Sequence, residues 1–143
     1  FDVLEHIEDD RAALAAVAGR LSQGGVLLLT VPAFQYLFSR HDVLHHHFRR
    51  YSKSELQEKI KAAGFEMEYL NYWNFFLFPV AVAARMFDFF RAKNEPAIGT
   101  KIPAPAINKI LTKLVSAERF LFTRVPFPFG LSLMLVARKS NYT

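Results

Sequence analysis

Cysteine is absent from the 143 residues, so the chain can form neither a disulfide framework nor a thiolate metal site. Glycine is scarce as well, and none of the six glycines belongs to a Gly-x-Gly-x-Gly turn of the kind that closes around a nucleotide. The uninterrupted apolar stretch, residues 75–84, is shorter than the roughly 20 residues that a helix needs to cross a bilayer. These absences exclude a disulfide-stabilised protein, a thiolate zinc protein and a membrane-spanning helix at that stretch.

The residues that are present describe a folded and moderately basic chain. Apolar residues make up 52% of the sequence, and fifteen Phe, five Tyr and one Trp supply large side chains for a core. The net charge is +5, but the basic residues are scattered and no nucleic-acid-binding motif accompanies them. We therefore expect no specific nucleic-acid binding. The absence of cysteine agrees with a reducing compartment, and we expect a cytoplasmic protein.

The first third of the chain has the pattern of a helix followed by a strand. Apolar residues recur at helical spacing over 14–21, behind the acidic residues 8–10, which favour the start of a helix. Gly24 and Gly25 end this helix, and the apolar run 26–31 follows them. A short apolar run of this type is typical of a strand that is buried on both faces of a sheet.

The remaining chain adds two predicted strands with a long segment between them. Ser52 and Glu55 have the spacing of a capping box, which predicts the start of another helix. Alternation of apolar and acidic residues over 65–72 predicts the second strand, and the apolar residues 131–137 predict the third. The intervening residues, about 73–129, hold an aromatic stretch and an amphipathic helix, which we interpret as a helical insertion.

Three stretches of the sequence resemble the second half of a class I S-adenosylmethionine-dependent methyltransferase domain. They are DVLEHIED at residues 2–9, LSQGGVLLLTVP at 21–32, and HFRRYS at 47–52, with Gln23 in place of the family's usual Pro. The resemblance implies an α/β fold, the C-terminal part of a Rossmann-like sheet that carries the family's strands 5, 6 and 7 with strand 7 antiparallel between the other two. On this interpretation residues 1–143 form the C-terminal part of the methyltransferase domain.

The resemblance implies S-adenosylmethionine as the cofactor. Phe1, Asp2, Val3 and Leu4 match the segment that lines the methionine part of the cofactor in this family; the alternative is a plain strand-to-helix turn. The Gly-rich turn and the acidic residues that hold the rest of the cofactor would all precede Phe1. We therefore expect the chain to be a truncated methyltransferase that is inactive by itself.

The candidates for chemistry lie at the end of the first stretch and in the third. The resemblance places His6, His47 and Arg50 on the acceptor side as catalytic residues, and Arg49 and Tyr51 as acceptor-binding residues. An arginine at this point can hold an anionic acceptor through two parallel hydrogen bonds. The alternative is that one of the arginines pairs with a nearby carboxylate and that Tyr51 packs in the core.

A metal site is the less favoured interpretation of the same region. The spacing of Asp2, Glu5 and His6 is similar to the ligand set of one branch of the family, the small-RNA 2′-O-methyltransferases, and His41 or one residue of 45–47 would complete the set. Glu5 and His6 are equally suited to cap and orient a helix. We therefore predict no metal site.

The predicted function is methyl transfer to a small acceptor that is apolar or linked to lipid or sugar. The alternative is a non-catalytic module that binds a membrane surface or a protein partner through residues 73–122, so peripheral membrane contact stays open. The two predicted helices of this segment are expected to pack as a hairpin beside the acceptor entrance, with part of their apolar surface uncovered. The sequence does not predict an oligomeric state.

Overall fold

The structure, a computed structural model, describes residues 2–90 and 104–140. In chain order, its elements are a 3-10 turn Leu4–His6, α1 Asp10–Arg20, β1 Val26–Pro32, a 3-10 turn Gln35–Leu37, α2 Arg40–Leu44, α3 Lys53–Ala62, β2 Phe65–Trp73, α4 Phe78–Phe90, α5 Pro105–Phe122 and β3 Ser132–Lys139. The predicted helices and strands are all present, with ends that differ by a few residues. The segment between β1 and α3, predicted as a loop, contains two short helical turns.

The strands form one sheet in the order β1-β3-β2. The last strand of the chain, β3, lies in the middle and pairs antiparallel with both neighbours, so β1 and β2 are parallel to each other. Leu135 of β3 is opposite Leu29 of β1 on one side and Leu70 of β2 on the other. The spatial order 5-7-6 with an antiparallel strand 7 is therefore confirmed.

One face of the sheet carries the hydrophobic core. Alternate residues of β1 and β3 point toward this face and are buried, because successive side chains of a strand point to opposite sides. Helices α1 and α3 cover the face, and their apolar residues belong to the same core cluster. The fully buried members include Leu14, Leu29, Leu56, Ile60, Leu133 and Leu135.

The prediction that β1 is buried on both faces is wrong. Val26 and Leu28 point away from α1 and α3, and they are 48% and 52% exposed. Within residues 2–90 and 104–140, the C-terminal end of α5 packs on that face, but it covers β2 and not β1. The Phe122 ring of α5 meets the rings of Tyr69 and Trp73 in β2 edge-on. An apolar run predicts a strand, but it does not reveal how many layers of the fold cover that strand.

The insertion between β2 and β3 is attached to the sheet by its ends. The carboxylate of Glu118 in α5 is fully buried and accepts hydrogen bonds from the backbone N–H groups of Phe75 and Phe76, just before α4. The Asn71 side chain of β2 donates to the carbonyl oxygens of Phe122 and Val125, at the end of α5. These polar contacts fix where α4 begins and where α5 ends.

The two predicted helices exist, and both keep large apolar side chains in contact with solvent, as predicted. Helices α4 and α5 do not pack along their lengths within the described residues, so the predicted hairpin is not found there. Phe87 of α4 is 69% exposed and Ile110 of α5 is 60% exposed. Each helix is amphipathic by itself, so periodicity predicts an apolar face without identifying what that face contacts.

Candidate functional site

A loop at the end of β1 carries most of the predicted site residues. This return loop, residues 33–51, leaves the sheet after Pro32 and comes back to the same point, where Ala33 and Tyr51 form a parallel bridge. The Phe34 N–H donates to the Tyr51 carbonyl oxygen at 2.9 Å, and the Tyr51 N–H donates to the Pro32 carbonyl oxygen at 2.9 Å. The loop is therefore closed at its base by backbone hydrogen bonds.

The segment 2–9 lies against the C-terminal part of the return loop. The Phe48 N–H donates to the carbonyl oxygen of Glu5 at 2.8 Å, and the Arg49 guanidinium donates to the carbonyl oxygen of Glu8. The rings of His6 and His47 meet edge-on, with centroids 4.7 Å apart. Two sequence stretches that are about forty residues apart thus form one site.

Asp42 is the centre of the polar contacts inside the return loop. Its carboxylate is fully buried, caps α2 by accepting from the Ser39 N–H at 2.9 Å, and accepts from Arg50 Nε at 2.8 Å and Nη2 at 2.6 Å. Burial alone would raise the pKa of the Asp42 carboxyl, but the hydrogen bonds and charge of Arg50, together with the hydrogen bond of His47, hold it below its ordinary value. Asp42 is therefore an ionised acceptor.

His47 is oriented by this carboxylate. Its Nδ1 lies 3.1 Å from Asp42 Oδ1, and because the carboxylate can only accept, Nδ1 carries the hydrogen. The other ring nitrogen, Nε2, then keeps its lone pair. A histidine that is held by a buried carboxylate through one nitrogen can take a proton or bind a metal ion through the other.

Arg50 and Tyr51 are buried. Arg50 pairs with a carboxylate and Tyr51 packs in the core, which is the alternative to acceptor contact given above. The Arg50 guanidinium also donates to the Ala33 carbonyl oxygen at 3.1 Å, in addition to its pair with Asp42. Tyr51 is fully buried, and its hydroxyl donates to Asp10 Oδ2 at 2.9 Å. Burial first, and then the hydrogen bond to Asp10, raise the pKa of the Tyr51 hydroxyl. Both side chains contact the loop and α1, and they present little surface to an acceptor.

Asp10, the first residue of α1, connects that helix to the return loop and to α3. It is 3% exposed and forms ion pairs with Lys59 Nζ of α3 and with Arg49 Nη1, the latter at 3.0 Å. Burial raises the pKa of the Asp10 carboxyl, but the hydrogen bonds of Lys59 and Tyr51 and the charges of Lys59 and Arg49 outweigh it, so the pKa is lowered. Arg49, predicted to bind the acceptor, has its charge engaged by Asp10.

The predicted cofactor segment divides into exposed and buried residues. Phe1 lies outside the described residues. Asp2 and Val3 are exposed, next to the turn that carries His6. Leu4 is 1% exposed and belongs to the core cluster, so its side chain supports the turn from beneath.

Glu5, His6 and His47 form a group of possible metal ligands. One ligand atom from each residue lies within 4.8 Å of the others. Glu5 is 5% exposed, and its buried Oε2 atom has no hydrogen-bond partner in the part of the chain that the structure describes. Asp2, a member of the set considered from sequence spacing, does not belong to this group.

Three charged residues of the site, Asp10, Asp42 and Arg85, were not among the predicted site residues. Asp42 lies three residues after Ser39, the spacing of a capping box, and that signal was available. Within residues 2–90 and 104–140, the buried Nη1 atom of Arg85 in α4 has no hydrogen-bond partner. Burial, and then the charge of Arg50, lower the pKa of its guanidinium. Burial, and then the charges of His45 and Arg85, lower the pKa of His41 in the return loop. No sequence pattern links α4 to this loop.

The overall fold has known relatives among solved structures, whereas no protein-family model and no curated protein sequence matches this chain. A Haloferax volcanii structure that contains the Trm112 methyltransferase activator and its methyltransferase partner matches at a TM-score of 0.51 and 17% identity, covering 99% of this chain and 52% of that chain. A methyltransferase structure from Bacillus halodurans C-125 matches at 0.48 and 17% identity, covering 96% and 66% respectively. A SAM-dependent methyltransferase from Archaeoglobus fulgidus matches at 0.45 and 11% identity, covering 95% and 55%.

The first of these matches exceeds a TM-score of 0.5 and supports the argument about the fold. The chain spans about half the length of that protein. The sheet order β1-β3-β2, with β3 antiparallel in the middle, agrees with the strand arrangement that the sequence resemblance implied. The chain therefore has the fold of part of a class I S-adenosylmethionine-dependent methyltransferase.

Proposed function

We propose that the protein carrying this chain transfers a methyl group from S-adenosylmethionine to a small acceptor, with His47 as the base. The observation that carries the proposal is the His47–Asp42 pair at the end of β1, at 3.1 Å, beside the segment 2–9. A base at this point would lie between the segment expected to line the cofactor and the open side of the return loop. The fold of part of a methyltransferase supports the reaction class.

S-adenosylmethionine supplies an electrophilic methyl group. Transfer of this methyl group would release S-adenosylhomocysteine, and His47 Nε2 would take the proton that the acceptor loses. Asp42 keeps the proton-accepting nitrogen directed outward and stabilises the imidazolium that results. Arg50 holds Asp42 in place and remains a positioning residue, because its guanidinium is buried.

The acceptor that fits this site best carries an anionic group. Arg49 and Arg50 already pair with Asp10 and Asp42, whereas the buried Nη1 donor of Arg85 has no partner among the described residues. A buried donor without a hydrogen bond is costly, and an acceptor phosphate or carboxylate would satisfy it. This favours a small acceptor with an acidic group, including a lipid- or sugar-linked phosphate.

Cofactor binding is the first test of the proposal. Asp2 and Val3 fit a role at the methionine part of the cofactor, because they are exposed beside the His6 turn, but this chain contains no Gly-rich turn. We expect calorimetry to show S-adenosylmethionine binding in the micromolar range for the full-length protein. The chain of residues 1–143 alone should bind at least about tenfold more weakly, which corresponds to about 1.4 kcal/mol. Equal affinity of the two proteins would contradict the assignment of the missing cofactor contacts.

A second candidate function, contact with a membrane surface, is favoured by the exposed apolar residues of α4 and α5. Met86 and Phe87 of α4 and Ile107, Ile110 and Phe120 of α5 are more than half exposed. Lys109 and Lys113 lie on the same helix as the last three. Apolar side chains flanked by basic ones are typical of helices that lie in the plane of an anionic bilayer. Within residues 2–90 and 104–140, no helix combines the length and the apolar character that crossing a membrane requires.

Co-sedimentation with liposomes tests this contact. The full-length protein is expected to sediment with phosphatidylglycerol-containing vesicles and less with neutral phosphatidylcholine vesicles. The double variant Phe87→Ser/Ile110→Ser should lose most of this association, since it removes two of the most exposed apolar side chains. Val43→Ser is the matched control, because Val43 is 61% exposed on α2. Vesicle binding that is unchanged in the double variant, or absent from the parent, would exclude this role for the helices.

A further inference from the structure

We propose that Glu5, His6 and His47 form a binding site for one divalent transition-metal ion. This inference goes beyond methyl transfer, since the fold does not require the ion. An ion bound at His47 Nε2 would occupy the lone pair that the base role uses, so the two roles of this nitrogen are alternatives. It rests on three independent observations: the convergence of the donor atoms, an unpartnered buried carboxylate oxygen, and the contact that orients His47.

The donor atoms converge from two segments of the chain. Glu5 and His6 belong to the turn Leu4–His6, and His47 belongs to the return loop, yet one ligand atom of each lies within 4.8 Å of the others. In a tetrahedral site, metal–ligand bonds of roughly 2.0–2.2 Å put neighbouring ligand atoms about 3.3–3.6 Å apart. His6 is exposed, so rotation of its ring closes the remaining distance without moving the core.

One carboxylate oxygen of Glu5 is buried, and among the described residues it lacks the hydrogen-bond or ionic partner that buried carboxylate oxygens usually have. Its Oε2 atom is buried and has no hydrogen bond within the described part of the chain, although the residue is 5% exposed. A buried carboxylate oxygen without a partner costs free energy unless a water molecule or an ion satisfies it. The same residue is grouped with the two histidines, and a cation bound between the three residues could satisfy this oxygen.

His47 has the hydrogen bond that metal-ligating histidines usually form through the ring nitrogen that does not bind the metal. Its Nδ1 donates to Asp42 at 3.1 Å, which leaves Nε2 free, and a carboxylate at this position orients the ring and makes the free nitrogen a better donor. Asp42 is in turn fixed by Arg50 and by the Ser39 N–H. The charge of Arg50 is neutralised by this pair, so it does not oppose a cation at the other side of the histidine.

The donor set determines the class of ion. Two imidazoles and one carboxylate suit Zn²⁺, Mn²⁺, Fe²⁺ or Co²⁺, and they exclude ions that need thiolate ligands. Three protein ligands leave open coordination positions, and the exposed side of His6 places those positions toward solvent. The site is therefore of the open type, accessible to a water molecule or an acceptor oxygen.

The neighbouring histidines are not members of this group, although the His45 ring lies 6.1 Å from the His47 ring. His45 and His46 are exposed, and the His45 ring pairs with His41 at a centroid distance of 4.4 Å. His46 has a positive φ of 57° and is the natural control, because asparagine tolerates that backbone conformation and removes the imidazole. A test must distinguish the proposed site from weak binding by this tract.

Cobalt titration of the metal-stripped full-length protein tests the site without cofactor or acceptor. Co²⁺ should bind with a 1:1 stoichiometry and produce visible d–d absorption, and zinc should displace it. His6→Ala, His47→Ala and the shape-preserving Glu5→Gln are each expected to weaken binding at least about tenfold. His46→Asn should bind like the parent, and circular dichroism reports whether each variant is folded.

Either of two results would overturn the proposal. One is the absence of 1:1 binding by the parent protein. The other is equal affinity of the parent and the folded Glu5→Gln and His6→Ala variants, which would assign the binding to the His45–His47 tract. Because the titration uses the metal alone, its outcome is independent of whether the protein binds S-adenosylmethionine or transfers a methyl group.

Discussion

Replacement of His47 by alanine in the full-length protein is expected to lower the turnover number for the acceptor by about 10²- to 10⁴-fold, the usual contribution of a positioned general base. The affinity for S-adenosylmethionine should stay within about twofold of the parent value, because the cofactor segment and the sheet do not depend on this side chain. Single-turnover kinetics with radiolabelled cofactor, together with calorimetry, measure the two quantities separately.

Two further variants separate a base from a metal ligand or a structural residue. His46→Asn, on the same loop, should keep the parent's turnover, since His46 has no side-chain contact with Asp42 among the described residues. His6→Ala should lower turnover less than His47→Ala does if His47 acts as the base. Full activity of His47→Ala would assign the loop a structural role, and equal losses in the two variants would assign the histidines to the metal instead.

Replacement of Asp10 by asparagine is expected to lower the free energy of unfolding by about 3–5 kcal/mol, the usual effect of removing one partner from a buried ion pair. Asp10 is 3% exposed, and Asn would leave the buried Lys59 ammonium with only the more exposed carboxylate of Glu55. The hydrogen bond from Tyr51 would also weaken, because its acceptor would no longer be charged. Urea unfolding followed by circular dichroism at pH 7 measures the change.

Asp9→Asn is the matched control for this experiment. Asp9 is the exposed N-cap of the same helix and accepts from the Ala12 N–H at 2.9 Å, a role that asparagine fills equally well. A loss for Asp10→Asn no larger than the loss for Asp9→Asn would contradict the view that the buried pair stabilises the fold.

The stability that Asp10 and Asp42 contribute should depend on pH in a definite direction. Both carboxyls have a pKa in the folded chain below the ordinary value. Their contribution is therefore complete above an unfolded-state pKa of about 3.9 and is lost as the pH falls through the lower folded-state values. The difference between the parent and Asp10→Asn should accordingly shrink below about pH 4.

Local patterns were sufficient to predict the secondary structure, and the resemblance was sufficient for the order of the strands. The alternation over 65–72 and the apolar run 26–31 are local patterns of polar and apolar residues, so they can be recognised in the sequence. The open face at Leu28 and the separation of α4 from α5 depend on what lies across from them. Amphipathic periodicity gives the direction of an apolar face but not its partner, which is why both predictions failed.

The site was predictable as a region but not as a set of contacts. His6 and His47 were both predicted as catalytic residues, from stretches about forty residues apart, and their rings lie 4.7 Å apart. The positions of Asp42 and Arg85 depend on how the return loop folds back and on where α4 begins. Pairing over such distances along the chain leaves no periodic signal, so the sequence offered two interpretations of Arg50 and Tyr51 and could not choose between them.

The central position of β3 has a consequence for biosynthesis. Within the described residues, β1 and β2 pair only through β3, which is synthesised about sixty residues after β2. When β1 and β2 have left the ribosome, the strand that pairs with both of them has not yet been synthesised. The sheet therefore forms late, through pairing between segments that are distant in the sequence. During that interval α1 and α3 can form by themselves, while the apolar faces of the two strands are exposed to chaperones and to other nascent chains.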